Sequence, residues 1–207
     1  MIFTAIFLSL PTPLTAALIL FINLATDVLP AIALGLEPTE YEIMNKKPRH
    51  AQQKILNKKF ITRLIIVGVS MGIIVMGVYF WTLSKFGWSW SNPLSLTTAH
   101  YQQAISMAFV LLTMIQMANT LNARSEEKSI FNMNLLSNPK LLGAIALSIL
   151  LSIIIVEVPL FQKYFHTVHL GMAEWLLLIV CSVAIIFIEE IRKFIIRKKN
   201  NTVNEAI

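Results

Sequence analysis

The chain has 207 residues, of which 56% are hydrophobic and 14% are charged, and its mean hydropathy is +0.69. This composition excludes a soluble globular domain and indicates a polytopic membrane protein. The residues behind the net charge of +6 lie mainly in the loops and the tail outside the apolar segments. The charge therefore reflects membrane topology, and nucleic-acid binding explains it poorly.

Apolar segments long enough to cross a bilayer occur five times, after a shorter one at the start. Residues 1–10 rise only about 15 Å as a helix, roughly half of the hydrocarbon core, and a Pro-Thr-Pro turn at 11–13 follows. Complete spans are predicted at 14–36, 60–83, 103–121, 141–161 and 174–195. We therefore expect an all-α fold: a polytopic transmembrane helix bundle of five complete spans plus an N-terminal half-helix whose beginning is missing.

The basic residues predict the orientation of these spans. Of the 17 lysines and arginines, all but Lys85 and Lys163 fall in residues 37–63, in residues 122–140 or in the segment after residue 191. Loops rich in lysine and arginine face the cytoplasm. We therefore expect the C-terminus and the two basic loops to be cytoplasmic.

Asp27 is the candidate site, because it is a carboxylate inside an apolar span. Such a charge costs at least about 2.5–3.5 kcal/mol in hydrocarbon, so it persists where it is hydrated, paired or used on an ion path. Asn23 lies four residues earlier on the same helical face, and Thr26 is its immediate neighbour. Pro30 cannot donate to the carbonyl of Thr26, so the helix should kink or unwind and release that oxygen beside the carboxylate.

Carboxylate, amide, hydroxyl and carbonyl oxygens are the ligands of a hard cation, with calcium the natural guest and sodium or a proton as alternatives. Broken helices of this kind recur at the ion sites of transporters. The competing interpretation is structural: Asp27 hydrogen-bonds to a neighbouring helix and holds the bundle together. Asn23 and Thr26 alone favour that interpretation, since both residue types commonly join membrane helices.

The other ionisable residues are weaker candidates. Glu157 lies near the outer end of a span and is expected to be an interfacial residue rather than an ion relay. His166 and His169 are expected to be solvated loop residues. The carboxylates Glu189 and Glu190 are expected to pair with the basic residues that follow within one helical turn, which are Arg192 and Lys193.

Three stretches of the chain resemble calcium-pump-like P-type cation ATPases. The run from Asn23 through Asp27 and Pro30, continuing to Pro38, Ile43-Met44 and Pro48-Arg49, resembles their sixth membrane helix and the following loop. The stretch from Gln116 to Asn122, with Arg124-Ser125 and Asn138-Pro139, is similar to the eighth helix and the loop that leads to the ninth. The segment from Glu174-Trp175 to Arg192-Lys193 is similar to the tenth.

The resemblance implies a division of the chain and a role for the site. Residues 1–13 are then the end of a truncated fifth helix with its outer turn, residues 14–199 the C-terminal transmembrane domain, and residues 200–207 a cytoplasmic tail. It also implies that the transported cation, calcium or one like it, is bound by residues that include Asn23, Thr26 and Asp27.

Two departures from the family pattern affect the expected site. Gln116 stands where reticulum-type calcium pumps have an acidic residue, so a single cation site is more plausible than two. The amide oxygen of Gln116 remains a candidate ligand, and a hydrogen bond to Asn119 is the equally weighted alternative. Lys47 replaces the first proline of the family's Pro-Pro-Arg signature, which a solvated loop should tolerate.

The phosphorylation motif Asp-Lys-Thr-Gly-Thr of the family does not occur in the sequence. We therefore expect that this chain alone is not an enzyme and binds no cofactor, and that ATP and magnesium belong to missing domains. The expected partners are the lipid bilayer and the catalytic portion of a P-type ATPase, in cis or in trans.

Two alternatives remain for the function. The first is a non-enzymatic membrane remnant or regulatory partner of a full-length pump. The second is a small secondary transporter, which predicts internal repeats and a second broken helix; no other span repeats the Asn-x-x-Thr-Asp-x-x-Pro pattern.

Overall fold

The structure is a computed structural model that describes residues 1–38, 58–89, 98–125 and 128–205. The described residues form an all-α polytopic bundle, as predicted. Eight α-helices follow in chain order: α1 (Ile2–Phe7), α2 (Ala16–Phe21), α3 (Val28–Gly35), α4 (Lys58–Lys85), α5 (Thr98–Ala123), α6 (Pro139–Glu157), α7 (Pro159–Phe165) and α8 (Met172–Glu205). Part of the predicted family loop, including Lys47 and Pro48-Arg49, lies outside the described residues.

Five helical segments in the described part of the chain are long and apolar enough to cross a membrane, which is the predicted number. They are Ala16–Gly35, Phe60–Lys85, Ala99–Ala123, Pro139–Glu157 and Met172–Lys198. N-terminal to them, α1 is the short helix predicted for residues 1–10.

The boundary of the fourth span was predicted wrongly. That span was expected to continue to residue 161, but α6 ends at Glu157, and Val158 adopts an extended backbone with φ −91° and ψ 120°. The cause is Pro159, since the residue before a proline is driven out of the helical region. The apolar residues beyond it form the separate helix α7.

The centre of the bundle is α5. Every residue from Ala104 to Leu111 is buried, so this helix has no lipid-facing side over two turns. Among the five described spans this one has the lowest mean hydropathy and the largest buried share, as expected of a helix surrounded by other helices rather than by lipid. It packs against α4, α6 and α8, and Phe109 makes an edge contact with Phe21 of α2 at 6.0 Å between ring centroids.

The turn between α1 and α2 is held by two tyrosines. The hydroxyl of Tyr79 on α4 donates to the carbonyl of Pro11 at 2.9 Å, and that of Tyr101 on α5 donates to the carbonyl of Thr12 at 2.8 Å. At the start of α2, the side chain of Thr15 accepts from the amide of Leu18, which caps the helix. The first span therefore begins at a fixed point.

Glu189 and Lys193 are fully buried at the opposite end of the bundle, which we call the basic end because Arg63, Arg124 and the C-terminal lysines and arginines lie there. Glu189 pairs with Arg192 at 2.6 Å, as predicted, but also with Arg63 of α4 at 2.8 Å. Lys193 lies 3.8 Å from Glu190, as predicted. Its ammonium also donates to the carbonyls of Asn122 and Lys128.

A second cluster at the basic end joins the first span to the segment between α5 and α6. The guanidinium of Arg124 donates to Glu37 at 2.6 and 2.8 Å and to Ser137 at 2.6 Å. Asn138, which caps α6 through Leu141, donates to the other oxygen of Glu37 at 2.8 Å and to the carbonyl of Ala33 at 3.0 Å. The end of α3 is therefore attached to the start of α6.

A loop histidine at the other end of the bundle makes a contact that the sequence did not predict. His169 is largely exposed, as expected of a loop residue, but its Nδ1 atom contacts a carboxylate oxygen of Glu157. The second oxygen of Glu157 accepts from the indole of Trp175 at 3.1 Å. Glu157 thus joins the end of α6 to the loop before α8 and the start of that helix.

Candidate cation site

The first span is broken where Pro30 predicts it. Residues Ile22–Thr26 form a π-helical turn between α2 and α3, and the amide of Asp27 bonds to the carbonyl of Ile22, five residues back, at 3.0 Å. Regular helix resumes when the amide of Ala31 bonds to the carbonyl of Asp27 at 3.1 Å. The proline removes the donor that the carbonyl of Thr26 would have in an α-helix.

Thr26 is fully buried, and both of its oxygens have partners within the bundle. Its hydroxyl donates to the carbonyl of Ile22 at 2.7 Å. The carbonyl that Pro30 releases accepts a hydrogen bond from the hydroxyl of Ser148 on α6 at 3.1 Å. The expected free carbonyl beside the carboxylate is thus released from its helix, as predicted, but a neighbouring helix captures it.

Asp27 is half-buried and faces α5. Its Oδ2 atom accepts from the side-chain amide of Gln116 at 3.4 Å, which is a long contact, across 89 positions of sequence. The amide oxygen of Gln116 is buried without a hydrogen-bond partner, and so is that of Asn119. The alternative hydrogen bond between Gln116 and Asn119 is therefore not formed.

The side chain of Asn23 is exposed, whereas that of Thr26 is enclosed. Asn23 and Gln116 both line a cavity of about 420 Å³ that also borders α4 at Gly68 and Gly72. The structure therefore links Asp27 to Gln116 by a hydrogen bond, and Gln116 to Asn23 through the cavity that both line. The buried side chain of Thr26 does not line that cavity.

The electrostatics of this site leave the charge of Asp27 to be balanced by a cation, by hydration or by a proton. No lysine, arginine or histidine in the described part of the chain forms an ion pair with Asp27. A carboxylate in the bilayer needs a counter-charge, hydration or a proton. Amide oxygens add to the carboxylate as hard ligands, and a half-turn of the Gln116 amide would direct its unpartnered oxygen toward a cation beside Asp27. Among the same residues, no group of three His, Cys, Asp or Glu side chains is placed to hold a metal.

Ser148 is the residue at this break that the sequence analysis missed. A signal was present, because Ser148 and Ser152 are four positions apart and both are buried on one face of α6. Small hydroxyl residues repeated at helical spacing in an apolar span indicate a helix–helix interface. The spacing does not identify the carbonyl that such a hydroxyl meets.

The sequence is similar to those of calcium-transporting ATPases over most of its length. Residues 11–195 match a family model described as cation transporting ATPase, C-terminus. A "Probable calcium-transporting ATPase" of Trypanosoma brucei brucei is 34% identical over 91% of this chain and 22% of its own length. A calcium-transporting ATPase 1 of Bacillus cereus is 31% identical over 96% of this chain and 22% of its own length. A calcium-transporting ATPase of Bacillus subtilis is 34% identical over 84% of this chain and 18% of its own. The chain thus spans about a fifth of the length of these relatives.

Proposed function

The chain belongs to the family of C-terminal membrane domains of P-type cation-transporting ATPases, and from that premise we propose that it forms the cation pathway of a calcium pump, with Asp27 as its principal ligand. Asn23 and Gln116, which line the same cavity, supply amide oxygens. Thr26 was expected to be a fourth ligand, and its buried hydroxyl, bonded to Ile22, makes it the weakest of the four.

The observation that carries this proposal is the position of Asp27 at the break in its helix. A carboxylate that has no ion pair with any described residue faces a buried amide whose oxygen has no partner, and that amide lines a cavity of about 420 Å³. A residue that only joined helices would have its hydrogen-bonding groups satisfied by those helices. The unpartnered oxygen of Gln116 therefore supports a ligand role for this site.

The energy for transport comes from the catalytic portion of the ATPase, joined to this chain in cis or assembled with it in trans. That portion supplies the binding of ATP and magnesium and the phosphorylated aspartate. The basic end faces the cytoplasm, where it meets that portion, and the C-terminus lies there too. Movements of the catalytic domains then change the access to Asp27 from one side of the membrane to the other.

The test uses the protein in its native membranes. We would tag the C-terminus at the chromosomal gene, purify the tagged protein in mild detergent, and measure phosphorylation by radiolabelled ATP with and without calcium. We expect calcium-dependent phosphoprotein in the wild type and none in Asp27→Asn. Glu157→Gln is the control, because it neutralises a carboxylate at the end of a span and should retain the response.

Three outcomes are informative. An unchanged calcium response in Asp27→Asn refutes the ligand role. The absence of any phosphoprotein in the wild-type preparation refutes the pump and supports a non-enzymatic membrane protein. The apparent mass of the tagged band shows how the chain is joined to the catalytic portion. A band near 23.3 kDa means assembly in trans, and a much larger one means a single polypeptide.

A further inference from the structure

We propose that Ser148 is a positioning residue for the cation site, whose hydroxyl holds the Thr26 carbonyl in place of a cation and releases it when the site is loaded. This inference rests on the proposed function for the identity of the ligand. The contact between Ser148 and Thr26 stands without it.

The Thr26 carbonyl needs a partner from outside its own helix. The oxygen of Thr26 lies inside the bundle and has lost its helical donor, because residue 30 is a proline. An unsatisfied carbonyl in such surroundings costs about 1–3 kcal/mol. A donor from another element is therefore needed whenever no cation is present.

Ser148 differs from the other serine and threonine hydroxyls whose bonds are described in the spans. Thr82, Thr113 and Thr120 each donate to the carbonyl four residues earlier in their own helix, and Ser152 donates within α6 to Ile149 at 2.7 Å. That is the ordinary arrangement for serine and threonine in a membrane helix. Ser148 is fully buried on α6, yet it donates across to Thr26.

The far end of α3 is also bonded to α6. Asn138 at the start of α6 donates to the carbonyl of Ala33 and to Glu37. With the far end of α3 attached there, the contact at Ser148 determines the direction of the carbonyl next to Asp27. Since a serine hydroxyl rotates freely about one bond, this contact can be broken without moving either helix.

A spectroscopic experiment tests the contact directly. Asp27 is the one aspartate in the sequence, so carbonyl-13C threonine together with 15N-aspartate labels a single peptide bond, that between Thr26 and Asp27. The chain, made by cell-free synthesis to avoid scrambling of the label and placed in lipid bilayers, should give one carbonyl–nitrogen correlation in solid-state NMR. In Ser148→Ala the carbonyl resonance should move upfield, as expected when a hydrogen bond is lost.

Ser152→Ala is the matched control, because it removes a buried hydroxyl from the same helix that bonds within α6. The resonance of Thr26 should stay at its wild-type position in that variant. If Ser148→Ala fails to fold, Ser148→Cys preserves the volume with a much weaker donor and should shift the resonance in the same direction. An unchanged resonance in a folded Ser148 variant overturns the proposal.

The role in cation binding has its own readout. In the tagged preparation, Ser148→Ala should increase the apparent affinity for calcium by about fivefold, the size of one lost neutral hydrogen bond in the empty state. An affinity that is unchanged or lower means that the hydroxyl does not compete with the cation, which overturns that role. If Asp27→Asn has no effect on calcium dependence, the proposed function fails instead, and the NMR result for Ser148 remains valid.

Discussion

Glu189→Gln removes the charge from a carboxylate that has no exposed surface and that pairs with two arginines from different helices. One oxygen accepts from Arg63 at 2.8 Å and from Arg192 Nη2 at 2.9 Å, and the other accepts from Arg192 Nε at 2.6 Å. Glutamine has nearly the same size, but its amide nitrogen would face a guanidinium donor. The variant therefore breaks part of the network and leaves two arginines without their counter-charge.

The expected loss follows from burial. Removing one partner of a buried ion pair costs about 3–5 kcal/mol in unfolding free energy. Glu174 on the same helix provides the contrast, since its partner Lys85 is half exposed and lies 3.9 Å away. Pairs of that kind contribute about 0–1 kcal/mol. Glu174→Gln is thus a control with identical chemistry in a different environment.

We would unfold the chain in bicelles by titration with sodium dodecyl sulfate and follow tryptophan fluorescence. Glu189→Gln should lower the unfolding free energy by about 3–5 kcal/mol and Glu174→Gln by less than about 1. Combining Glu189→Gln with Arg63→Gln should cost less than the sum of the single changes, because the two residues interact. Equal losses in Glu189→Gln and Glu174→Gln would refute the assignment of Glu189 to a buried network.

Three further predictions concern contacts that fix the ends of helices. Arg124→Ala should lower the unfolding free energy by about 2 kcal/mol, because charge-assisted bonds to Glu37 are lost. The same variant should raise deuterium uptake in residues 31–38, and unchanged uptake there would contradict the prediction. Lys193→Met should lower the unfolding free energy by about 2 kcal/mol in the same titration, since two carbonyls lose their donor. A stabilised variant would show that the cost of burying the ammonium exceeds the gain from its hydrogen bonds. Tyr79→Phe should cost about 1 kcal/mol by losing the bond to Pro11, and a neutral result would mean that water replaces it.

Features determined by neighbouring residues were predictable from the sequence. Hydropathy gives the number of spans because a bilayer requires about 20 apolar residues in each. Pro30 predicts the break at Thr26 because the missing donor is a local property. The pairs of Glu189 with Arg192 and of Glu190 with Lys193 follow from three-residue spacing on one helix.

Features determined by helix packing were not predictable. Arg63 reaches Glu189 across 126 positions, and Arg124 reaches Glu37 across 87. The prediction that Asn23 and Asp27 share a face assumed an α-helical period. The π turn at Ile22–Thr26 has one more residue than an α-helical turn, so the angle between the two side chains around the helix axis differs from the one assumed. Both limits have the same origin, because contacts between spans depend on the rotation of each helix about its axis.

The first span is fastened at both ends, with consequences for how it can move. The turn before it, at Pro11 and Thr12, is bonded to Tyr79 and Tyr101, and Glu37 at its other end is bonded to Arg124 and Asn138. A helix that is bonded at both ends cannot slide or tilt freely, but its helical pitch can change between those two ends. The π turn between α2 and α3 contains one more residue than an α-helical turn. A change of this turn to α-helical pitch would rotate the segment that carries Asp27. Rotation about the helix axis is therefore the movement of Asp27 that these contacts leave open.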